Sequence, residues 1–353
     1  MDIHEHPLYK EDVKRVAELS LPWEKIQDAS ILISGATGLI GSFLIDVLMW
    51  RNTYKKANCK VFALGRSEEK AKRRFAYYKN SSLFHFLSHD INEPLHLQNN
   101  ERIEYVLHLA SNTHPVAYAT DPIGTITTNI IGLKNMLDFG VHHHTKRFAF
   151  ASSNEIYGEN RGDQELFDEH YCGYIDCNTL RAGYPESKRC GEALCQAYMK
   201  QKGLDVVIPR LTRSYGPTML ESDTKAISQF IKKAIASEDI VLKSAGNQYY
   251  SYTYVADAVS GLLTVLLLGK SGEAYNIADQ HSDITLKDLA ATLAKIAGTK
   301  VIFEIPDATE KAGYSKATKA RLDGKKMRRL GWMPFYNIKT GIQVTMQVLM
   351  ELK

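Results

Sequence analysis

The chain has 353 residues, 44% of them hydrophobic and 24% charged, with a formal net charge of +4. These globular proportions exceed one ordinary domain and exclude a disordered tail or a strongly basic nucleic-acid binder. The basic run Lys325, Lys326, Arg328, Arg329 lacks interleaved aromatics and reads as a solvated helix face, so no nucleic-acid partner is expected.

Met1 to Asp28 is polar and charged throughout. It has neither a signal-peptide core nor a span of ~20 apolar residues. Residues 1–28 read as an amphipathic N-terminal helical extension. The most apolar later stretch, Gly261 to Leu268, is too short for a bilayer, so the chain is expected to be cytoplasmic with no membrane partner. Cys59, Cys172, Cys177, Cys190 and Cys195 make an odd count, which predicts reduced thiols. Cys172 and Cys177 have no second pair at zinc-finger distance. His142, His143 and His144 follow Gly140 at a helix end and read as a solvated connection. No metal is expected.

Strand and helix signals then alternate. Ser30–Ile33 is a buried strand, and Ile40, Phe43, Leu44, Val47 and Leu48 recur at helical spacing up to Trp50. Strands follow at Lys60–Leu64, Leu83–Leu87, Tyr105–Leu109, Arg147–Ala151 and Asp205–Ile208. Helices are predicted at Glu68–Tyr78, Thr125–Phe139 and Tyr184–Lys200. This βαβ rhythm predicts an α/β fold with a doubly wound parallel sheet covered on both faces. After Arg210 the rhythm loosens into turn-rich stretches. The expected division is therefore 29–210 for the sheet domain and 211–353 for a smaller C-terminal lobe.

Gly35-Ala-Thr-Gly38-Leu-Ile-Gly41 lies between a buried strand and an amphipathic helix. That context marks a dinucleotide-binding Rossmann turn, with the helix N-terminus facing the pyrophosphate. The second strand ends Leu64-Gly65-Arg66-Ser67, where NAD binding commonly uses an acid. Arg66 and Ser67 suit a 2′-phosphate, so NADP is favoured; Arg66 stacking on adenine would also accommodate NAD. Asp90, after the third strand, could accept a hydrogen bond from the adenine amine.

Tyr184-Pro-Glu-Ser-Lys188 puts Tyr and Lys on one helical face. A tyrosine has an ordinary pKa of ~10, and a nearby ammonium is expected to lower it, so that Tyr184 can take a hydroxyl proton. The strand ending Ala151-Ser152-Ser153 supplies a donor for the substrate oxygen.

With these motifs on Ile31 to the C-terminus, the sequence resembles the extended short-chain dehydrogenase/reductases, the NAD(P)-dependent nucleotide-sugar epimerases, dehydratases and decarboxylases. Leu107-His-Leu-Ala110, Ser153-Asn-Glu-Ile-Tyr-Gly158, Tyr215-Gly-Pro217, Tyr254-Val-Ala-Asp257 and Leu330-Gly-Trp332 extend the likeness. The resemblance implies Ser153, Tyr184 and Lys188 as catalytic residues, with Glu155 beside them and Lys188 also on the nicotinamide ribose. Cofactor contacts are implied for Gly35, Thr37, Gly38, Leu39, Ile40, Gly41, Arg66, Ser67, Asp90, Ile91, Leu109, Ala110, Ser111 and Asn129 as well as Tyr184 and Lys188. The lobe after residue 210 is implied to bind the nucleotide sugar, and a homodimer is implied through the helices at Thr125–Phe139 and Tyr184–Lys200.

Around the substrate the resemblance implies His114 (or a satisfied buried histidine), Asn154, Arg181, Arg213 and Tyr250. Family members commonly carry Asn at the Arg213 position and Arg at the Tyr250 position, both on the nucleotide diphosphate. A positive charge moved across the diphosphate is one reading; a structural ion pair for Arg213 is the other. Dehydratases carry Asp-Glu where this chain has Asn154-Glu155. Glu155, Arg181 and Arg189 are similar to the decarboxylases. Simple C4 epimerisation through a transient 4-keto sugar asks only for Ser153, Tyr184 and Lys188 and is expected first. UDP-uronic acid decarboxylation and NADPH-dependent keto-sugar reduction or dehydration are the alternatives.

Overall fold

The computed structural model describes residues 2–97, 101–113, 115–306 and 318–352. Its strands are β1 (Ser30–Ser34), β2 (Lys60–Gly65), β3 (Phe84–Ser88), β4 (Tyr105–His108), β5 (Arg147–Phe150), β6 (Ser152–Ser153) and β7 (Val206–Leu211). Then come β8 (Arg213–Tyr215), β9 (Ile240–Leu242), β10 (Tyr249–Tyr254), β11 (Ala274–Ile277), β12 (Asp283–Thr285), β13 (Val301–Phe303) and β14 (Lys319–Ala320). The large sheet runs β3-β2-β1-β4-β5-β7-β11, with every pairing parallel. Ile31, Leu32 and Ile33 are fully buried, as a strand covered on both faces requires. The strand order reverses between β1 and β4, and a cleft opens at such a switch point.

The helices that matter here are α1 (Pro7–Ala17), α2 (Leu39–Lys55), α3 (Glu68–Arg74), α4 (Pro115–Thr120), α5 (Pro122–Thr127), α6 (Leu133–His142), α7 (Gly183–Lys202), α8 (Ala226–Ile235) and α9 (Val255–Leu268). The predicted helix Thr125–Phe139 is interrupted: a π-turn, Thr128–Gly132, separates α5 from α6. Gly132 lies against Ile91, whose Cδ1 would be 2.7 Å from an added Cβ. The wide turn buries Asn129. The helix expected at Glu68–Tyr78 closes early as well, with a 3-10 turn, Ala76–Tyr78, following α3.

Beyond residue 210 the architecture does change, but the chain returns. β8 lies parallel to β10, which also pairs with β12 and β14. β9 pairs with β13. β11 then rejoins the large sheet beside β7, Asn276 opposite Arg210. Residues 274–277 thus lie in the large sheet although they follow residue 210 in the chain. The apolar stretch at Gly261–Leu268 belongs to α9, buried from Val255 to Leu267 against α1, α2 and β7. Among the described residues no helix is long and apolar enough to cross a membrane.

The motifs Tyr254-Val-Ala-Asp257 and Leu330-Gly-Trp332 join here. Asp257 accepts the amides of Phe335 and Tyr336 at 2.6 and 3.1 Å, and Trp332 donates its indole N–H to Ser260. Burial pushes Asp257 up to about 7.

The N-terminal residues pack as part of the body. Asp12 accepts the hydroxyls of Tyr254 and Tyr336, tying α1 to β10. His4 and Tyr9 converge with Arg74 and Tyr78 on the buried carboxylate of Asp46. Burial opposes that charge, but Arg74 and the His4 hydrogen bond hold the carboxyl down at about 2.

Candidate active site

β1 ends at Ser34, and the chain turns through Gly35 at φ +70°. An added Cβ there would lie 2.8 Å from the backbone nitrogen of Ala110, so only glycine fits the turn against β4. Gly38 precedes α2 without a side-chain cap, which leaves first-turn amides open to an anion. Gly41 sits so close to Gly35 that a Cβ would come 2.5 Å from its carbonyl oxygen.

A cavity of ≈ 430 Å³ lies over this turn, within the size range of small-molecule sites. Gly35, Thr37, Gly38, Leu39, Ile40 and Gly41 line it beneath. Arg66, Ser67, Asp90 and Ile91 line the part beyond β2 and β3. Leu109, Ala110 and Ser111 form the wall after β4, and Ser153, Asn154, Glu155, Tyr184 and Lys188 stand beyond β5. The tight glycine turn, the uncapped helix and the elongated cleft suit a dinucleotide.

Two expected cofactor residues have other engagements. Ser67 accepts the Lys70 amide and caps α3. Asn129 does not line the cavity: its amide donates to Ser187 at 2.9 Å, and its oxygen accepts the Ser111 hydroxyl at 2.7 Å. It thus braces the β4 wall against α7. His114 lies outside the described residues.

At the far end, Tyr184 and Lys188 project from the first turns of α7 and both are buried. Lys188 donates its ammonium to the carbonyl of Ala151 at 2.9 Å and lies over the Phe150 ring. Burial pulls it down to about 8. The expected lowering of Tyr184 is not what the geometry gives. Burial, reinforced by the Glu155 carboxylate, pushes this phenol up to about 12, against opposing hydrogen bonds from Ser153 and Tyr118 and the Arg181 charge. Ser153 also accepts the Glu155 amide at 3.2 Å. Its strand is held by Glu192, which accepts the Ser152 hydroxyl and pairs with Arg210.

Beside Tyr184 stands a residue that sequence reasoning missed. Tyr118 of α4 stacks on Tyr184, centroids 4.8 Å apart and planes inclined by 28°. Arg181 lies over the Tyr118 ring at 4.6 Å and forms an ion pair with Glu155. Asn154 is buried next to them. Arg213 lies over the ring of Tyr250 at 3.5 Å and faces the cleft; Tyr250 sits beneath it rather than on the cavity wall. No carboxylate pairs with Arg213 among the described residues, so the structural ion-pair reading finds no support. Arg213, Arg181, Asn154 and Glu155 also line an adjoining cavity closed by Tyr174 and Ala320. Lys70, Leu220, Ser222 and Lys225 line the main cleft too; sequence spacing alone does not distinguish them from surface residues.

The model of the NAD dependent epimerase/dehydratase family matches residues 31–278. Among curated proteins, UDP-glucuronic acid decarboxylase 1 of Danio rerio is 30% identical over 318 residues, covering 90% of this chain and 72% of that protein. UDP-glucuronic acid decarboxylase 3 of Arabidopsis thaliana is also 30% identical, covering 88% of this chain and 86% of its own length. Among solved structures, UDP-glucuronic acid 4-epimerase of Bacillus cereus, determined with UDP-glucuronic acid and NAD, superposes with a TM-score of 0.77 at 22% identity. The match covers 92% of this chain and 100% of that one. The dTDP-glucose 4,6-dehydratase of Streptomyces venezuelae, with NAD bound, gives 0.78 at 22% identity over 91% and 97%. At that identity the structural likeness speaks for the fold, while the family match spans most of the chain. This chain belongs to the NAD-dependent epimerase/dehydratase family of nucleotide-sugar enzymes.

Proposed function

We propose that this chain decarboxylates a UDP-hexuronic acid through a transient 4-keto sugar. The observation that carries the reading is the placement of Arg213, together with the Glu155–Arg181 ion pair, beside Tyr184: a guanidinium suited to an anionic sugar next to the acid–base tyrosine. The curated relatives, named UDP-glucuronic acid decarboxylases, support the same reaction. Asn154 stands where the family's dehydratases carry an acid, which argues against dehydration.

The glycine turn Gly35–Gly41 and Lys188 would hold a nicotinamide cofactor in the cleft, and that group would supply reversible hydride acceptance for C4. Tyr184 takes the C4 hydroxyl proton while Ser153 holds that oxygen. A ketone at C4 makes the C6 carboxylate a β-keto acid, so the C5–C6 bond can break with release of carbon dioxide. The electron pair moves onto the C4 oxygen, where the Ser153 and Tyr184 hydroxyls stabilise it; C5 then takes a proton from solvent water, and Tyr184 gives its proton back to the C4 oxygen when the ketone is reduced. C4 epimerisation is the second reading, favoured by Tyr250 where the family's decarboxylases normally use an arginine. Incubation with UDP-glucuronate decides: carbon dioxide and a UDP-pentose by NMR, with no net absorbance change at 340 nm, are expected. A C4-inverted UDP-uronate would establish epimerisation instead.

The cofactor we propose is NADP, supported by Arg66 and Lys70 on the cleft beyond β2, where an acid would favour NAD. Calorimetry showing tighter NAD than NADP binding would refute this. A homodimer is supported by Ile123 and Ile131, 76% and 46% exposed along α5 and the π-turn; light scattering reads it. Five unpaired cysteines support a reducing, cytoplasmic setting.

A further inference from the structure

We propose that Arg213, stacked on Tyr250, is the subsite that reads the carboxylate of the sugar. This rests on the hexuronate reading above and deepens it. β8 pairs with β10 so that Arg213 lies opposite Tyr252, and Tyr250, two residues away, shares that face of the strand. The guanidinium sits 3.5 Å from the Tyr250 ring centroid. At that distance the guanidinium packs on the ring, and its planar fork of N–H groups is the chemistry that matches a carboxylate.

Nη1 of Arg213 is buried without a hydrogen-bond partner among the described residues. Arg213 as a whole is half-buried, and an incoming anion would supply this nitrogen with an acceptor. Arg181, the neighbouring guanidinium, is already neutralised by Glu155. Location favours the sugar over the diphosphate. Arg213 shares the adjoining cavity with Asn154, Glu155 and Arg181, and its charge acts on Tyr118, the ring stacked on Tyr184. It therefore stands at the reacting end of the cleft. Once carbon dioxide has left, the product has no carboxylate for Arg213, so the contact distinguishes substrate from product.

The test is calorimetric titration of the cofactor-loaded full chain in a Tyr184→Phe background, which blocks turnover, with UDP-glucuronate, UDP-xylose and UDP. Arg213→Gln is expected to weaken UDP-glucuronate about 10- to 100-fold, the range for a hydrogen bond to a charged group. UDP-xylose and UDP should stay within about 3-fold. Arg213→Lys, which keeps the charge, should recover part of the loss. Equal losses for all three ligands would show that Arg213 grips the diphosphate, and undiminished UDP-glucuronate binding by a folded Arg213→Gln would show that it grips nothing; either overturns the proposal. If the chain with Arg213 intact prefers UDP-xylose to UDP-glucuronate, the hexuronate reading itself falls, a failure visible before any Arg213 variant is made.

Discussion

Replacing Gly41 by alanine sets two effects of known sign against each other. Gly41 lies in the first turn of α2, where the preference for alanine over glycine is at most the ~1 kcal/mol of a helix interior, so propensity alone predicts a slightly more stable chain. Against this, the new Cβ would lie 2.5 Å from the carbonyl oxygen of Gly35, where ordinary contact begins at 3.4 Å, and 3.0 Å from Ala36 Cα. Both neighbours are backbone and cannot swing aside. The first turn of α2 and the Gly35 turn must separate by ~0.9 Å, an overpacking strain of roughly 1–3 kcal/mol. Stability should therefore change little or fall slightly. Cofactor affinity should suffer more, because a ~0.9 Å displacement carries a hydrogen bond of ~2.9 Å beyond its useful range. Loss of one bond to a charged phosphate costs about 1.5–3 kcal/mol, which is about 10- to 150-fold in Kd. Calorimetric titration of nucleotide-stripped protein with NADPH and NADH, paired with thermal melts, measures both. A Gly41→Ala variant that melts higher and binds within two-fold of the parent would refute the close-approach reasoning.

Three further outcomes follow from the site and its supports. Tyr184→Phe should lower turnover at least ~100-fold, the lower end of what a positioned acid–base group supplies, with cofactor binding retained; near-normal turnover would remove Tyr184 from the mechanism. Asp46 has its folded pKa held down at about 2 against ~4 when unfolded, so its stabilisation is present above ~4 and lost as pH falls towards 2. The urea-midpoint gap between the parent chain and Asp46→Asn should accordingly narrow from pH 5 to pH 3, and a constant gap would contradict the ionised pair with Arg74. Asn129→Ala should raise the cofactor Kd several-fold without removing any wall of the cleft, since it only braces Ser111 and Ser187; an unchanged Kd would show that the brace is dispensable.

Local patterns made much of this molecule legible. The six strands expected before residue 210 are β1 to β5 and β7, because each is a short apolar run bounded by turn residues. The glycine turn and the Tyr184/Lys188 pair were readable for the same reason, since their chemistry is set by spacing within one or two turns. What escaped depends on distant partners. Tyr118 sits in a six-residue helix with no strong period, and only the fold brings its ring onto Tyr184. The return of β11 is a four-residue run like any other until it pairs with β7. Asp12 and His4 lie in a stretch legible only as polar and amphipathic, yet they bond Tyr254 and Asp46. The upward shift of Tyr184 follows from burial and from Glu155, neither of which is visible in spacing along a helix.

The join between β7 and β8 bears on how this enzyme would move. One residue, Thr212, separates the last strand of the cofactor sheet's interior from the strand that carries Arg213, and the Thr212 hydroxyl is hydrogen-bonded to that of Thr253. A swing of the smaller lobe therefore has almost no slack at this point. Arg213 is geared to the sheet that holds Gly35 and Ser153, while α8 and the segments around Leu220 and Lys225 hang on longer stretches of chain. Any displacement of those outer segments would leave Arg213 in register with Gly35 and Ser153 across the cleft.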